Sequence, residues 1–304
     1  MNAPPAGVQP DHPLARLTTV RTGGAADWFA RPSTEPELVE MLRWADAAAV
    51  AVGLIGSGSN LLVADDGFHG LAIKLDGDLA TIERDGEAIL CGGGARLPSA
   101  AAKAAGWGLS GLEFGINIPG TAGGAVRMNA NAYGGQLARV LDWVEVSTAA
   151  GTDRRAPDRL DFSYRRSNLR PGEVVSRASF RLRPGDPETI RAALATMREL
   201  RREAQPSGIK TFGSTFKNPE DERAEGRSAG QLLEAAGCRG LRHGGARFSE
   251  KHANFVENTG EASTEDVLEL MAEGRRRVHA EFGVELEPEV QVLGEVRWPG
   301  SWEL

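Results

Sequence analysis

The sequence predicts an α+β protein of more than one domain, and three observations carry that expectation. The chain has 304 residues, 41% hydrophobic and 25% charged, ordinary globular material long enough for two or three cooperating domains. Short apolar runs of strand type alternate with helical periodicities through its first two-thirds. A long helical pattern over 186–204, rich in Leu, Met, Arg and Glu, stops at Gln205-Pro206 as a proline requires, and the main boundary is placed there.

Taken in order, Thr34-x-x-Glu37 forms a capping box ahead of Leu38, Met41, Leu42 and Ala45, which share one helical face. A buried-strand pattern over 50–55 then runs into Gly56-Ser57-Gly58-Ser59-Asn60 and a second apolar run, Leu61-Leu62-Val63. Further strands are expected at 71–75, 80–83, 88–91, 140–147 and 174–182, with a short helix near 97–105. Past the boundary come a Gly/Ser/Asn turn, a helix from about Ser228, and a helix opening at Ser263 and closed by Gly283. The run over 284–293 alternates acidic and apolar residues like a strand, interrupted by Pro288.

Composition excludes several classes. The net charge is -7 and basic residues are dispersed apart from runs such as Arg275-Arg276-Arg277, so no nucleic-acid partner is expected. The N-terminus lacks a basic cluster followed by an apolar core, and no stretch reaches the roughly 18 apolar residues of a membrane span, so a cytoplasmic protein without a membrane partner is expected. Cys91 and Cys238 are too few for a disulfide framework or a zinc site, and the five His residues do not pair at metal-ligand spacing. No metal is expected.

The chemistry concentrates in a few segments. From Gly111 to Gly135, seven of twenty-five residues are glycine, poor material for a packed helix or strand because each glycine loses much backbone entropy on folding and buries nothing. Such a segment, with Ile118-Pro119-Gly120 and Gly123-Gly124 at its centre, suits the close approach of a flat, phosphorylated ligand to the main chain. Gly56 to Asn60 has the same character, yet no Rossmann fingerprint or Walker motif is present. Tyr164-Arg165-Arg166-Ser167 offers a planar fork of donors for a carboxylate, or else a solvated face. Gly213-Ser214-Thr215-Phe216-Lys217-Asn218-Pro219 places a hydroxyl, an ammonium and an amide on one turn. Glu287-Pro288-Glu289 sets two carboxylates on one side of an extended segment.

Together with Thr22-Gly23-Gly24, Asn129 and Leu286, these motifs resemble, in order and at compatible spacing, those of the UDP-N-acetylenolpyruvoylglucosamine reductase (MurB) family, over about residues 17–293. The resemblance implies a two-subdomain FAD-binding fold of the vanillyl-alcohol-oxidase-like class plus a C-terminal α/β substrate-binding domain. The corresponding boundaries are 1–75, 76–205 and 206–304. It implies non-covalent FAD, held by Gly56, Ser57, Gly58, Ser59, Asn60, Ile118, Pro119, Gly120, Gly123, Gly124 and Asn129, with NADPH as co-substrate and a nucleotide sugar as the small-molecule partner; a monomer is compatible with this. It also implies Arg165, Ser214 and Glu289 as catalytic residues, with Tyr164, Lys217 and Asn218 at the substrate. Only 49 positions separate Arg165 from Ser214, as in the shorter type that lacks the inserted tyrosine loop. Gln291 stands where relatives often carry Arg. Arg242, Arg247, Lys251 and His252 are candidates for the diphosphate, with a solvated basic loop as the other reading. A covalently tethered flavin would need His69 or Cys91.

Overall fold

The computed structural model describes residues 3–300. Its chain divides into two compact units. The first comprises the residues up to Asp11, Asp27–Ser57 and His69–Arg201; the second comprises His12–Ala26, Gly58–Phe68 and the chain from Arg202 onward.

The first unit carries helices α1 (Glu35–Ala47), α2 (Leu97–Gly106), α3 (Ala122–Arg127) and most of α4 (Pro187–Ala204). Its larger sheet is antiparallel, in the order Gly151–Arg155, Leu141–Thr148, Val174–Arg181, Ala88–Gly92, Ile82–Asp85. Val144, Val146, Ala178, Phe180 and Ile89 from this sheet bury against Leu97, Ala100 and Ala104 of α2 and Ala122 and Val126 of α3. A second core forms where Leu38, Met41, Leu42 and Ala45 of α1 meet Leu71 and Ile73, the face that the helical spacing predicts. There Val52–Leu54 pairs in parallel with Phe68–Ile73, Val52 standing opposite Leu71. At the head of α1, Thr34 Oγ1 accepts the Glu37 N–H at 3.4 Å. The Glu37 carboxylate takes the N–H of Ser33 at 2.7 Å, one residue before the partner a capping box would use.

The second unit is built on the antiparallel sheet Lys210–Ser214, Phe255–Asn258, Ala246–Phe248, Arg242–His243, backed by α5 (Ala229–Ala235) and α6 (Thr264–Phe282). Phe212, Phe216, Phe248 and Val256 pack with Leu232, Leu233, Val267, Leu270, Met271 and Val278. Full capping boxes open both helices, Ser228 with Gln231 and Ser263 with Asp266. Gly283, at φ 67°, ends α6 by returning its N–H to the His279 carbonyl at 2.8 Å. Leu61–Val63 pairs in parallel with Gln291–Leu293.

Most expected elements form within one or two residues of their predicted limits; the strand expected over 71–75 runs Phe68–Ile73, and three others differ for identifiable reasons. The strand expected over 80–83 begins at Ile82, because Asp76 caps a 3-10 turn, Gly77–Ala80, in front of it. The strand-like run over 284–293 is a strand only at Gln291–Leu293, since Pro288 has no N–H to pair and the Glu289 N–H turns to the Thr215 carbonyl. The Gly-rich stretch holds a helix after all, α3, running through Gly123 and Gly124. Close packing outweighs glycine's entropy there, because a Cβ on Gly123 would sit 3.0 Å from the Gly93 carbonyl oxygen and 3.2 Å from that of Val175.

This packing predicts a contrast between two glycine variants, read by thermal unfolding. Gly93→Ala would bring a Cβ to 1.8 Å from the Val175 carbonyl oxygen, and it should destabilise the protein by about 1–3 kcal/mol or more. Gly106→Ala, with nothing within 4 Å of its Cβ at the exposed end of α2, should be neutral or stabilise by about 0.5–1 kcal/mol.

Candidate active site

In the first unit the two Gly-rich segments meet. A Cβ on Gly56 would stand 2.9 Å from Thr121 Oγ1. Ser57 Oγ donates to the Pro119 carbonyl, and Lys74 Nζ donates to the Gly56 carbonyl. The space beside Gly120 is open, its nearest neighbour being the Ile118 side chain at 3.9 Å. Burial lowers the pKa of Lys74, and the charges of Arg31 and Arg96 lower it further against the pull of Asp76. Exposed main chain bonded by Lys74, with Arg31 and Arg96 near enough to act on that lysine's charge, is a donor set that fits the pyrophosphate of a dinucleotide cofactor. Neither Lys74 nor Arg96 carries a motif, and sequence reasoning missed both; Thr121 lay inside the Gly-rich run without being singled out. Gly123 and Gly124 are placed differently. The N–H groups of Ala122, Gly123 and Gly124 go to Ala95, Gly93 and Thr121; Gly123 packs closely against the Gly93 and Val175 carbonyls, whereas a Cβ on Gly124 would meet only Thr121 Oγ1 at 3.4 Å.

Tyr164 and Arg165 occupy the tip of a tight turn in which Ser163 and Arg166 exchange both backbone hydrogen bonds, at 3.1 and 3.2 Å. Arg165 takes φ 55°, a left-handed conformation that costs a non-glycine residue about 1 kcal/mol or more. The surroundings hold it there. Asn129, fully buried, donates from Nδ2 to the Ser163 carbonyl at 3.0 Å and accepts the Ala138 N–H on its Oδ1 at 3.3 Å. Ser167 Oγ donates to the Arg127 carbonyl at 2.8 Å, and the Arg127 guanidinium donates to the carbonyls of Leu169 and Glu173. Thus Asn129 braces the Arg165 turn, and Arg127 is a further brace that sequence reasoning missed. Arg165 Nη1 donates to the Asn131 carbonyl at 3.3 Å, with its guanidinium 5.3 Å from the Tyr164 ring. Beside it opens a pocket of about 330 Å³ lined by Asn131, Tyr133, Gln136, Arg139 and Tyr164. The chain's two tyrosines therefore face one cavity.

The second unit gathers the remaining candidates. The strand Lys210–Ser214 slips register between Thr211 and Ser214, around Gly213 at φ 83°. Such a bulge re-aims the next residue along the strand, here Ser214, whose hydroxyl makes no hydrogen bond among the described residues. Thr215 accepts the Glu289 N–H on its carbonyl at 2.8 Å, which brings Glu289 alongside Ser214-Thr215. The Glu289 carbonyl in turn accepts Asn60 Nδ2 at 3.1 Å and Gln291 Nε2 at 3.2 Å. Gln291 is thus tied to the Glu289 peptide, and Asn60 reaches the same oxygen. Ser59 lies close by, its carbonyl 3.6 Å from where a Gly213 Cβ would be, while Gly58 at φ 68° packs on Leu17 with no room for a Cβ. Lys217 Nζ pairs with Glu287 at 3.0 Å, and Asn218 Oδ1 accepts the Ala229 N–H at 3.1 Å as α5 begins.

Of the basic stretch 240–254, Arg247 is paired with Glu257 at 2.7 Å and Lys251 Nζ reaches the Arg202 carbonyl at 2.6 Å. His252 accepts the Asn254 N–H on Nδ1 at 3.2 Å and packs edge-on to Phe255, 4.8 Å between ring centroids. Burial lowers its pKa, as does Arg239. Cys91 is fully buried and burial pushes its thiol up to about 12; Cys238 is likewise buried, at about 11. Neither thiol is accessible for tethering a flavin. His69 lies exposed beside Asp27 at 3.2 Å. No helix among the described residues is long and apolar enough to cross a membrane, and no group of three or more His, Cys, Asp or Glu among them could hold a metal ion.

Two family models match the chain: "FAD binding domain" over residues 26–156, and "UDP-N-acetylenolpyruvoylglucosamine reductase, C-terminal domain" over residues 205–293. A UDP-N-acetylenolpyruvoylglucosamine reductase of Rubrobacter xylanophilus is 44% identical over 287 residues, covering 94% of this chain and 95% of that protein. The one of Granulibacter bethesdensis is 43% identical over 282 residues, covering 93% and 89%. The crystal structure of UDP-N-acetylenolpyruvylglucosamine reductase (MurB) from Thermus caldophilus superposes with a TM-score of 0.80 at 38% identity, over 92% of this chain and 97% of that one.

His252 makes stability depend on acidity. Its folded pKa lies below the usual 6.5, so the unfolded chain binds the proton first. Its contribution is complete above that value and is lost as pH falls through the folded pKa. His252→Asn keeps an acceptor for the Asn254 N–H and does not titrate, so denaturant titrations from pH 8 to 5 should show a shallower loss of stability than in the parent.

Proposed function

The chain belongs to the UDP-N-acetylenolpyruvoylglucosamine reductase family, whose members are FAD oxidoreductases of cell-wall precursor synthesis, and from that premise we propose that it uses NADPH to reduce the enolpyruvyl ether of UDP-N-acetylglucosamine to UDP-N-acetylmuramate. Bound without a covalent link, FAD would supply two-electron hydride chemistry between NADPH and the terminal vinyl carbon of the sugar ether. Residues 1–75 and 76–205 are read as the flavin-binding subdomains and 206–304 as the substrate domain. Both reactants are small water-soluble molecules, which suits a cytoplasmic enzyme.

The protein's own tasks are set by where charge and protons must go. Hydride arriving at the vinyl carbon drives an electron pair onto the neighbouring carbon and into its carboxylate. Arg165 is assigned to balance that charge, with a guanidinium that stays protonated and is already directed by its strained turn. Ser214 is assigned as proton donor: its O–H bond breaks as the new C–H bond forms, and solvent restores the hydroxyl. Only a strongly basic carbanion can take that proton. Glu289 is assigned to hold the carboxyl end of the substrate, with Tyr164, Lys217 and Asn218 at the sugar nucleotide. Gly56, Ser57, Ile118, Pro119 and Gly120, with Gly58, Ser59 and Asn60, are assigned to the cofactor. Asn129, Gly123 and Gly124 are assigned there through the backbone they support. The observation that carries this reading is the bond from the Glu289 N–H to the Thr215 carbonyl, which joins Ser214 and Glu289 across 75 positions of sequence.

Anaerobic NADPH should bleach a visible flavin band in the purified protein, and adding the enolpyruvyl UDP-sugar should restore it. A colourless protein that cannot be reconstituted with flavin would end the proposal. Ser214→Ala should lower turnover by roughly 10²–10⁴-fold while bleaching by NADPH persists. Arg165→Leu should lower reoxidation by the sugar by roughly 10²–10³-fold in single-turnover traces.

A further inference from the structure

Past the bulge at Gly213, the strand that carries Ser214 leaves its regular ladder, and residues 215–216 need other partners. One residue supplies three. The Asn254 carbonyl accepts the Thr215 N–H at 2.8 Å, its Oδ1 accepts the Phe216 N–H at 2.9 Å, and its Nδ2 donates to the Phe216 carbonyl at 2.8 Å. Asn254 is 4% exposed and Phe216 is fully buried, so no water replaces these bonds. Across the segment, the Thr215 carbonyl accepts the Glu289 N–H and the Lys217 N–H donates to the Glu287 carbonyl. The side chain of Asn254 thus imitates a neighbouring strand, with donor and acceptor spaced as in a peptide group. Its own N–H is anchored on His252 Nδ1.

We propose that Asn254 is a positioning residue for the protonation step, holding Thr215 and Phe216 in the line that presents Ser214 beside Glu289. The inference rests on the reading of Ser214 as proton donor. An amide is required for it. An ionised carboxylate in its place still accepts the Phe216 N–H but faces the Phe216 carbonyl with no proton to give, whereas a protonated carboxyl restores both bonds.

The test is Asn254→Asp in the flavin-loaded full-length protein, each half-reaction monitored by stopped-flow absorbance. Reduction by NADPH should stay within about twofold of the parent. Reoxidation by the enolpyruvyl UDP-sugar should fall roughly 10–100-fold at pH 8, the loss expected when one buried carbonyl goes unsatisfied. As pH is lowered through the pKa of the buried new carboxyl, which burial raises, the ratio of variant to parent reoxidation should climb back. Taking that ratio removes the groups both proteins share: His252 with Glu234 and Arg239 behind it, and Glu289, Glu287 and Lys217 on the opposite side. In a Ser214→Ala background the same change should add no further loss.

Unchanged reoxidation in N254D, or a parallel loss of both half-reactions with no recovery in acid, overturns the proposal. If N254D does not fold, Asn254→Gln serves, with the same selective loss of reoxidation expected because its amide is displaced by one methylene; parallel loss there overturns the proposal equally. Full reoxidation by Ser214→Ala alone would instead remove the reading of the serine, so the two failures are told apart.

Discussion

The peptide of Glu289 is fixed at both ends, and the second unit is arranged around that. Its N–H is bound by Thr215, its carbonyl by Asn60 and Gln291, and the residue before it, Pro288, bridges to Phe216. Three stretches that are remote in sequence therefore converge on the backbone of one residue. The parallel pairing of Leu61–Val63 with Gln291–Leu293 continues the same junction, and Phe216 anchors it in the core with Phe212 and Phe248. A bulged strand can present a hydroxyl at a defined place only if the chain beyond the bulge is rigid. Here the rigidity comes from hydrogen bonds to main chain, several of them made by the side-chain amides of Asn60, Asn254 and Gln291.

The first unit meets a similar requirement by another route. Its Gly-rich segments lie at close approaches of the main chain, to other backbone where Gly123 meets Gly93 and Val175, and to the Thr121 side chain at Gly56. Arg165 is held in a conformation it would not choose, and the buried amide of Asn129 and the forked guanidinium of Arg127 are what hold it. Strain of this kind persists only where the surroundings over-determine it. For the role proposed for Arg165, a guanidinium aimed before the ligand arrives is an advantage.

Local rules made much of this legible. Ser263 and Gly283 bound α6 because capping and left-handed closure depend on a few adjacent residues, and Leu38, Met41, Leu42 and Ala45 share a face because helical spacing is local. The motifs likewise marked segments that come together, Gly56 with Thr121 and Ser214-Thr215 with Glu289. The features that could not be read depend on contacts across long separations. Nothing in His252-Ala253-Asn254 distinguishes an asparagine that completes a strand 38 residues away. Lys74 looks like any lysine at a strand end until Gly56 folds over it. The helix through Gly123 and Gly124 ran against propensity because the deciding term, space beside Gly93, is invisible along the chain.

Both thiols have a practical consequence. Cys91 and Cys238 are fully buried, with pKa values raised to about 12 and about 11, so at neutral pH the thiolate fraction is on the order of one in ten thousand or less. Alkylating reagents and mild oxidants act on thiolate at an accessible surface. The wild-type chain therefore behaves as a cysteine-silent background: a single cysteine introduced at an exposed position such as Leu200 would take a maleimide dye or spin label without removal of either native thiol.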